Sequence, residues 1–335
     1  MLKPMRVPAL ILTSLVVVLV VSPSQMRAQG PDQVSDRVSD QAEIVRAYDL
    51  WTAGDARAAV AILEPLLQPV PRSFAESDLG VGWEILASAY QDLEMYDKAR
   101  QAYTHAIEKL RALPSQQAQY AATVDNFATL EDALGQRTAA KLLCMKARHI
   151  YEAIGDRSGM EITSIDLALI AYGQKDFKTA RRAVAEALEE QHAVGISGEN
   201  LAALDSVKSA LALHDGKVEE AISAIDQAID LWMHIHGADY VQLGTAYLQC
   251  AQAFAKRKDY LRAAADAQHG LAIAEASVGK KTLAYATAES IYAQILRESG
   301  ERDEASRLKE DASRTLASLR LRQCYGCTID ASAFR

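Results

Sequence analysis

Apolar residues recur along most of this chain at intervals of three and four, the period of a helix with one buried face. The clearest stretch reads Trp83, Leu86, Ala87 and Tyr90, and then Tyr96, Ala99, Tyr103 and Ala106. A short polar break separates the two sets, so the pattern predicts a pair of antiparallel helices joined by a tight turn. The same pairing continues from residue 40 to residue 322. Predicted spans are 40–53 with 56–68, 78–93 with 96–112, 115–134 with 137–154, and 157–174 with 176–193. Three more pairs follow, at 199–215 with 217–235, 239–257 with 259–277, and 281–299 with 301–322. The expected fold class is all-α.

The pairs repeat one another. Ala59, Ala99, Ala140, Ala180, Ala221, Ala263 and Ala305 follow each break, at steps of 40, 41, 40, 41, 42 and 42 residues. Twelve residues earlier stand Ala47, Ala87, Ala128, Ala168, Ser209, Ala251 and Ala293, all small. Seven residues later come Leu66, Ala106, Ala147, Ala187, Ala228, Gly270 and Ala312, where Leu66 alone is bulky. Small side chains at fixed register let two helix backbones approach closely while larger neighbours fill the flanks. The breaks carry Gly54-Asp55, Gly135-Gln136, Gly216-Lys217 and Gly300-Glu301, where glycine suits a left-handed helix cap. A fixed step of this size marks a repeat architecture in which each hairpin buries its face against the next.

Punctuation between pairs agrees. Pro65, Pro69 and Pro71 close the first pair and Pro114-Ser115 opens the third. Gly155-Asp156, Gly195 to Gly198 and Gly237-Ala238-Asp239 mark later joints. No proline follows Pro114, which fits an unbroken helical stack. Residues 29–39 are polar and read as a flexible lead-in.

The second pair resembles the tetratricopeptide signature, W-x2-L-small-x2-Y followed by A-x3-F/Y-x2-A, almost position for position. The resemblance covers roughly residues 40–320. It is strong in pairs one, two, four and six. It weakens in pair three, with Glu131 at an aromatic position, and in pair seven, with Lys309 there. The step exceeds the family's usual length of about 34 residues and is similar to the long-helix variant found in kinesin light chains and related bacterial proteins. The resemblance implies a right-handed α-solenoid of about seven repeats that binds partners in a concave groove. Carried over position by position, it places Glu84, Ser88, Gln91 and Asp92 on that lining, followed by Asp125, Asn126, Thr129 and Asp132. Ile165, Asp166, Leu169 and Tyr172 continue it, then Leu248, Gln249, Gln252, Gln294 and Arg297. The cationic clamp that some members use for a peptide carboxylate is absent. An acidic, amide-rich lining suits an extended protein or peptide segment that is neutral to basic.

The first residues change the picture of where this happens. Lys3 and Arg6 precede an apolar stretch from Val7 to Val21, and Ser22-Pro23-Ser24 follows. That is the layout of a signal peptide, shorter than the roughly 20 apolar residues a membrane-spanning helix needs. Cleavage is expected after Ala28, or after Ser24, giving a periplasmic or secreted protein with no membrane span; retention as an anchor is the alternative. Removing residues 1–28 takes away Lys3, Arg6 and Arg27 and no acid, moving the net charge from −8 to −11. Such a balance argues against a nucleic-acid partner, which needs clustered cations.

Candidate chemistry is sparse. Cys324 and Cys327 form a C-Y-G-C pair behind the last helix, in the tail 323–335. In an oxidising compartment they form a disulfide or remain as tail thiols; a redox site is the rival. Cys144 and Cys250 fall on core positions of the repeat, as buried small hydrophobes. His234 and His236, two apart on a helix, do not share a face and read as solvated helix-end residues. There is no phosphate loop, nucleophile elbow or zinc-protease motif. No cofactor, metal site or catalytic residue is expected. The reading is a binding scaffold, with a thiol-redox protein or a purely structural envelope subunit as alternatives.

Overall fold

A computed structural model of the chain describes residues 31–68, 74–194, 198–238 and 240–325. The expected signal peptide, the Cys324 side chain, Cys327 and the tail behind it lie outside the described residues. Fourteen α-helices and one 3-10 turn make up the described secondary structure, with no strand among the described residues. The first four are α1 (Pro31–Thr52), α2 (Ala56–Leu67), α3 (Glu76–Asp92) and α4 (Tyr96–Leu110). After a turn at Pro114–Gln116 come α5 (Gln117–Ala133), α6 (Arg137–Ile154), α7 (Arg157–Gly173) and α8 (Phe177–Val194). The remainder are α9 (Gly198–His214), α10 (Val218–His236), α11 (Val241–Lys256), α12 (Tyr260–Val278), α13 (Leu283–Ser299) and α14 (Arg302–Tyr325).

The chain forms two compact units that meet in sequence at Leu211 and Ala212. In the first unit α1 packs on α2, α3 on α4, α5 on α6 and α7 on α8, and in the second α11 packs on α12 and α13 on α14, each hairpin also touching the next within its unit, which is the construction of a helical repeat solenoid. The first helix begins at Pro31 rather than at residue 40, taking in part of the expected lead-in. Proline is pre-set for a first helical position, and no glycine or further proline interrupts the stretch behind it.

The small-residue register is the seam of these hairpins. Ala59, Ala99, Ala140, Ala180, Ala221 and Ala263 are fully buried, as are Ala47, Ala87, Ala128, Ala168, Ser209 and Ala251. Leu66, the exception, is only half-buried because α2 ends one residue later, and Leu67 takes the interior place. Around the seam pack Trp83, Leu86, Tyr90 and Tyr103 in the first unit, and Ile225 and Trp232 in the second.

Each hairpin turns in the same way. The backbone is left-handed at Gly54, Glu94, Gly135, Lys175, Gly216, Lys258 and Gly300. In every case the next residue donates its N–H five residues back, from Asp55 to the Leu50 carbonyl at 2.8 Å through to Glu301 to Leu296 at 2.9 Å. This hydrogen bond closes a Schellman cap and satisfies a carbonyl that the helix end would otherwise leave bare. Glycine occupies the turn in four repeats, as the sequence indicates. Glu94, Lys175 and Lys258 take it in the other three against an unfavourable Cβ contact.

Candidate functional site

The inner helices of the first unit are tied together by side chains one repeat apart. From α1 to α3, Gln41 Nε2 donates to Asp78 Oδ2 and Trp51 Nε1 donates to Asp92 Oδ2, both at 2.7 Å. Between α3 and α5, Asn126 Nδ2 donates to Glu84 Oε1 at 2.7 Å and Gln91 Nε2 to Thr129 Oγ1 at 3.2 Å. Tyr103 on α4 supports this step from behind: its hydroxyl donates to Gln91 Oε1 at 3.1 Å and lies 3.0 Å from Ser88 Oγ. Gln174, just past α7, reaches Asp132 at 3.5 Å, and Asn200 of α9 donates to Glu161 of α7 at 3.1 Å. The result is a row of carboxylates and amides that runs from repeat to repeat.

Most of the expected lining is therefore engaged within the array. Glu84, Ser88, Gln91, Asp125, Thr129, Asp166 and Leu248 are buried, and so are Ile165 and Gln249. Asp92, Asn126, Asp132, Leu169, Tyr172 and Gln252 are half-buried, and Gln294 and Arg297 are exposed. Neighbouring helices cover positions that a single hairpin leaves open, which the family pattern alone does not convey. Asp125 and Asp166 are consequently turned away from solvent, and Asp92 and Asp132 are the acids of this surface nearer to it. Burial raises the Asp132 and Glu161 carboxyls above their ordinary values and raises the Tyr172 hydroxyl. Glu131, the odd residue of repeat three, is held by Arg100 through two bonds of 2.8 and 2.9 Å. Its aromatic position has become an ion pair between α4 and α5.

The second unit carries the rest of the predicted lining. Gln294 Nε2 donates to Glu298 at 2.9 Å along α13, whereas Leu248 is packed against Gly270. A cleft of about 440 Å³ instead opens between α10 and α12, floored by α11. Asp226, Asp230 and Asp266 face it together with Tyr247, Cys250, Phe254 and Arg262. Arg257 and Arg262 flank the Phe254 ring at 4.7 and 5.6 Å, and His269 stacks on Tyr247 at 5.1 Å. Cys250 Sγ lies 3.6 Å from Asp226 Oδ1; burial and the adjacent carboxylates push its thiol far above the range of a nucleophile. Cys144 is likewise buried with its thiol pushed up, so both cysteines are interior hydrophobes, as their register indicates. Asp226 and Asp230 stand four apart on one helix face and Asp266 one repeat step beyond Asp226, but that spacing alone does not show that α10 and α12 leave a cleft between them. His234 and His236 lie exposed at the end of α10, with His236 stacked on Tyr240 at 3.9 Å.

Residues 200–276 match the tetratricopeptide repeat family. No curated protein matches the sequence. Among solved structures, the Rap protein complexed with Competence and Sporulation Factor is similar, with 13% identity and a TM-score of 0.57 over 84% of this chain and 98% of that one. BtubC (BKLC) from P. vanneervenii is similar with 16% identity and a TM-score of 0.52, over 68% of this chain and 92% of that one. The APC/C hetero-tetramer Cut9–Hcn1 is similar with 13% identity and a TM-score of 0.54, covering 88% of this chain and 56% of that one. At such identities the likeness is one of fold.

Proposed function

We propose that this chain, a tetratricopeptide-type repeat protein, is an exported scaffold that binds a protein or peptide segment along its inner helices. A tetratricopeptide scaffold is suited to protein–protein interaction, and the similar Rap structure is a complex with Competence and Sporulation Factor. The observation that carries the reading is the row of bonded polar side chains at one-repeat steps, from Trp51–Asp92 through Glu84–Asn126 to Glu161–Asn200. Bonds between repeats fix the spacing and orientation of the inner helices. A pre-organised surface lowers the ordering cost of binding an extended segment.

Asp92, Asn126 and Asp132 offer acceptors and an amide to such a segment, and favour one that is neutral or basic. Leu169 and Tyr172 supply apolar anchoring contacts beside them. The signal-peptide layout of residues 1–28 supports a location in the periplasm or outside the cell. The reading is of a scaffold, not an enzyme. Capture from an envelope extract tests it, using the mature chain and its Tyr172→Ala variant as paired baits. A protein retained by the parent and depleted on the variant supports the inner surface. Equal recovery on both baits overturns it.

A further inference from the structure

The register of the inner helices carries a second message. Glu84 and Asn126 occupy neighbouring repeat positions, and the amide of one donates to the carboxylate of the other at 2.7 Å. One repeat onward the same two positions hold Asp125 of α5 and Asp166 of α7. The shared register brings these two carboxyls side by side, and each is only 3% exposed. Asp125 Oδ1 is buried and has no hydrogen-bond partner. Two ionised carboxylates have no donor between them, so a bond between them requires one shared proton. An amide does the joining in one repeat step and a proton does it in the next.

The surroundings favour retention of that proton. From α6, Cys144 and Tyr151 face the pair, and Tyr151 is in turn within reach of Glu84 of α3 and of Asp156, just ahead of α7. A nearby cation, Arg148 of α6, is drawn off: it donates to the Met160 carbonyl at 3.1 Å and to Ser164 Oγ. It also lies 3.8 and 3.9 Å from Glu186 and Glu190 of α8. Burial pushes the Asp125 carboxyl up to about 7, against a smaller lowering by the polar groups beside it.

We propose that Asp125 and Asp166 form a proton-operated clasp between the third and fourth repeats, closed in mildly acidic surroundings and loosened as the medium turns alkaline. The direction follows from linkage. Near pH 4 and below, the carboxyl is protonated whether the clasp is closed or open. Between there and about 7 only the closed form keeps its proton, so the clasp weakens steadily with rising pH. Above about 7 both forms have lost it, and the weakening levels off.

Hydrogen exchange of the α5 and α7 amides at pH 5.5 and 8.0, corrected for intrinsic rates, tests the clasp. Opening should be about thirtyfold more frequent at the higher pH, the ratio that an open-state value near 4 and a closed-state value near 7 give. Asp166→Asn rebuilds the amide–carboxylate pairing of Glu84 and Asn126 and should abolish most of that difference. Asp125→Asn should do the same from the other side. A parent chain whose protection in α5 and α7 is equal at the two pH values overturns the proposal without any variant. So do variants that keep the parent's pH dependence.

Discussion

Gly270 sits inside α12, where alanine is normally the better residue by about 1 kcal/mol. The structure predicts the opposite sign for Gly270→Ala. A Cβ there would lie 2.7 Å from the Gly244 carbonyl oxygen of α11 and 2.7 Å from Leu248 Cγ. Leu248 has little room to turn, since it is 7% exposed, and the Gly244 oxygen belongs to the facing backbone. Relief needs α11 and α12 to separate by several tenths of an ångström along a seam closed by Ala251 and Ala263. Overpacking of this kind costs roughly 1–3 kcal/mol. Set against the helix preference, the net loss is about 0–2 kcal/mol, concentrated in this hairpin. Gly173→Ala in α7 is the internal control, because its Cβ would meet only Asp132 Oδ2, at 3.8 Å. Local stability read by native-state hydrogen exchange of α11 and α12 is the assay, since repeat arrays open by segments. Gly270→Ala should lose protection there while Gly173→Ala holds or gains it in α7. A gain of similar size in both variants would refute the close-approach argument.

The remaining predictions concern the turns, the seam and the N-terminus. Lys258→Gly and Glu94→Gly remove a left-handed non-glycine residue at φ 65° and 58°, and each should stabilise its hairpin by about 0.5–1 kcal/mol in urea unfolding; destabilisation would mean that the side chain outweighs the strain. Ala99→Leu, at a position with no exposure, should cost roughly 1–3 kcal/mol, and an unchanged unfolding midpoint would place Ala99 off the seam. Mass spectrometry of the protein from its native envelope should find a chain beginning near Gln25 or Gln29, whereas an intact Met1 would identify the segment as an anchor.

The fold was readable because its rule is local and repeated. Seven alanines at a near-constant step fix both helices of every hairpin, and four glycines mark turns directly. Glu94, Lys175 and Lys258 carry no such mark: their left-handed backbone is imposed by the hairpin around them, not by their own preference. The start of α1 was missed for a different reason, since polar residues behind Pro31 have no apolar period to announce a helix. The lining was readable as a set of positions but not as a surface. Whether Asp125 meets solvent or Asp166 depends on the helix one repeat away, some 40 residues off, and hairpin periodicity is silent on that pairing. The cleft of Asp226, Asp230 and Asp266 is further from view, because it depends on how far α10 and α12 stand apart.

In the proposed function a protein segment seats on the inner helices. Hydrogen-exchange footprinting of the mature chain with its captured partner tests this most directly. Exchange should slow in α5 and α7, centred on Asn126–Ala133 and Leu169–Gly173, with α6 and α8 unchanged. Protection confined to α6 and α8, or to the α10–α12 cleft, would contradict it.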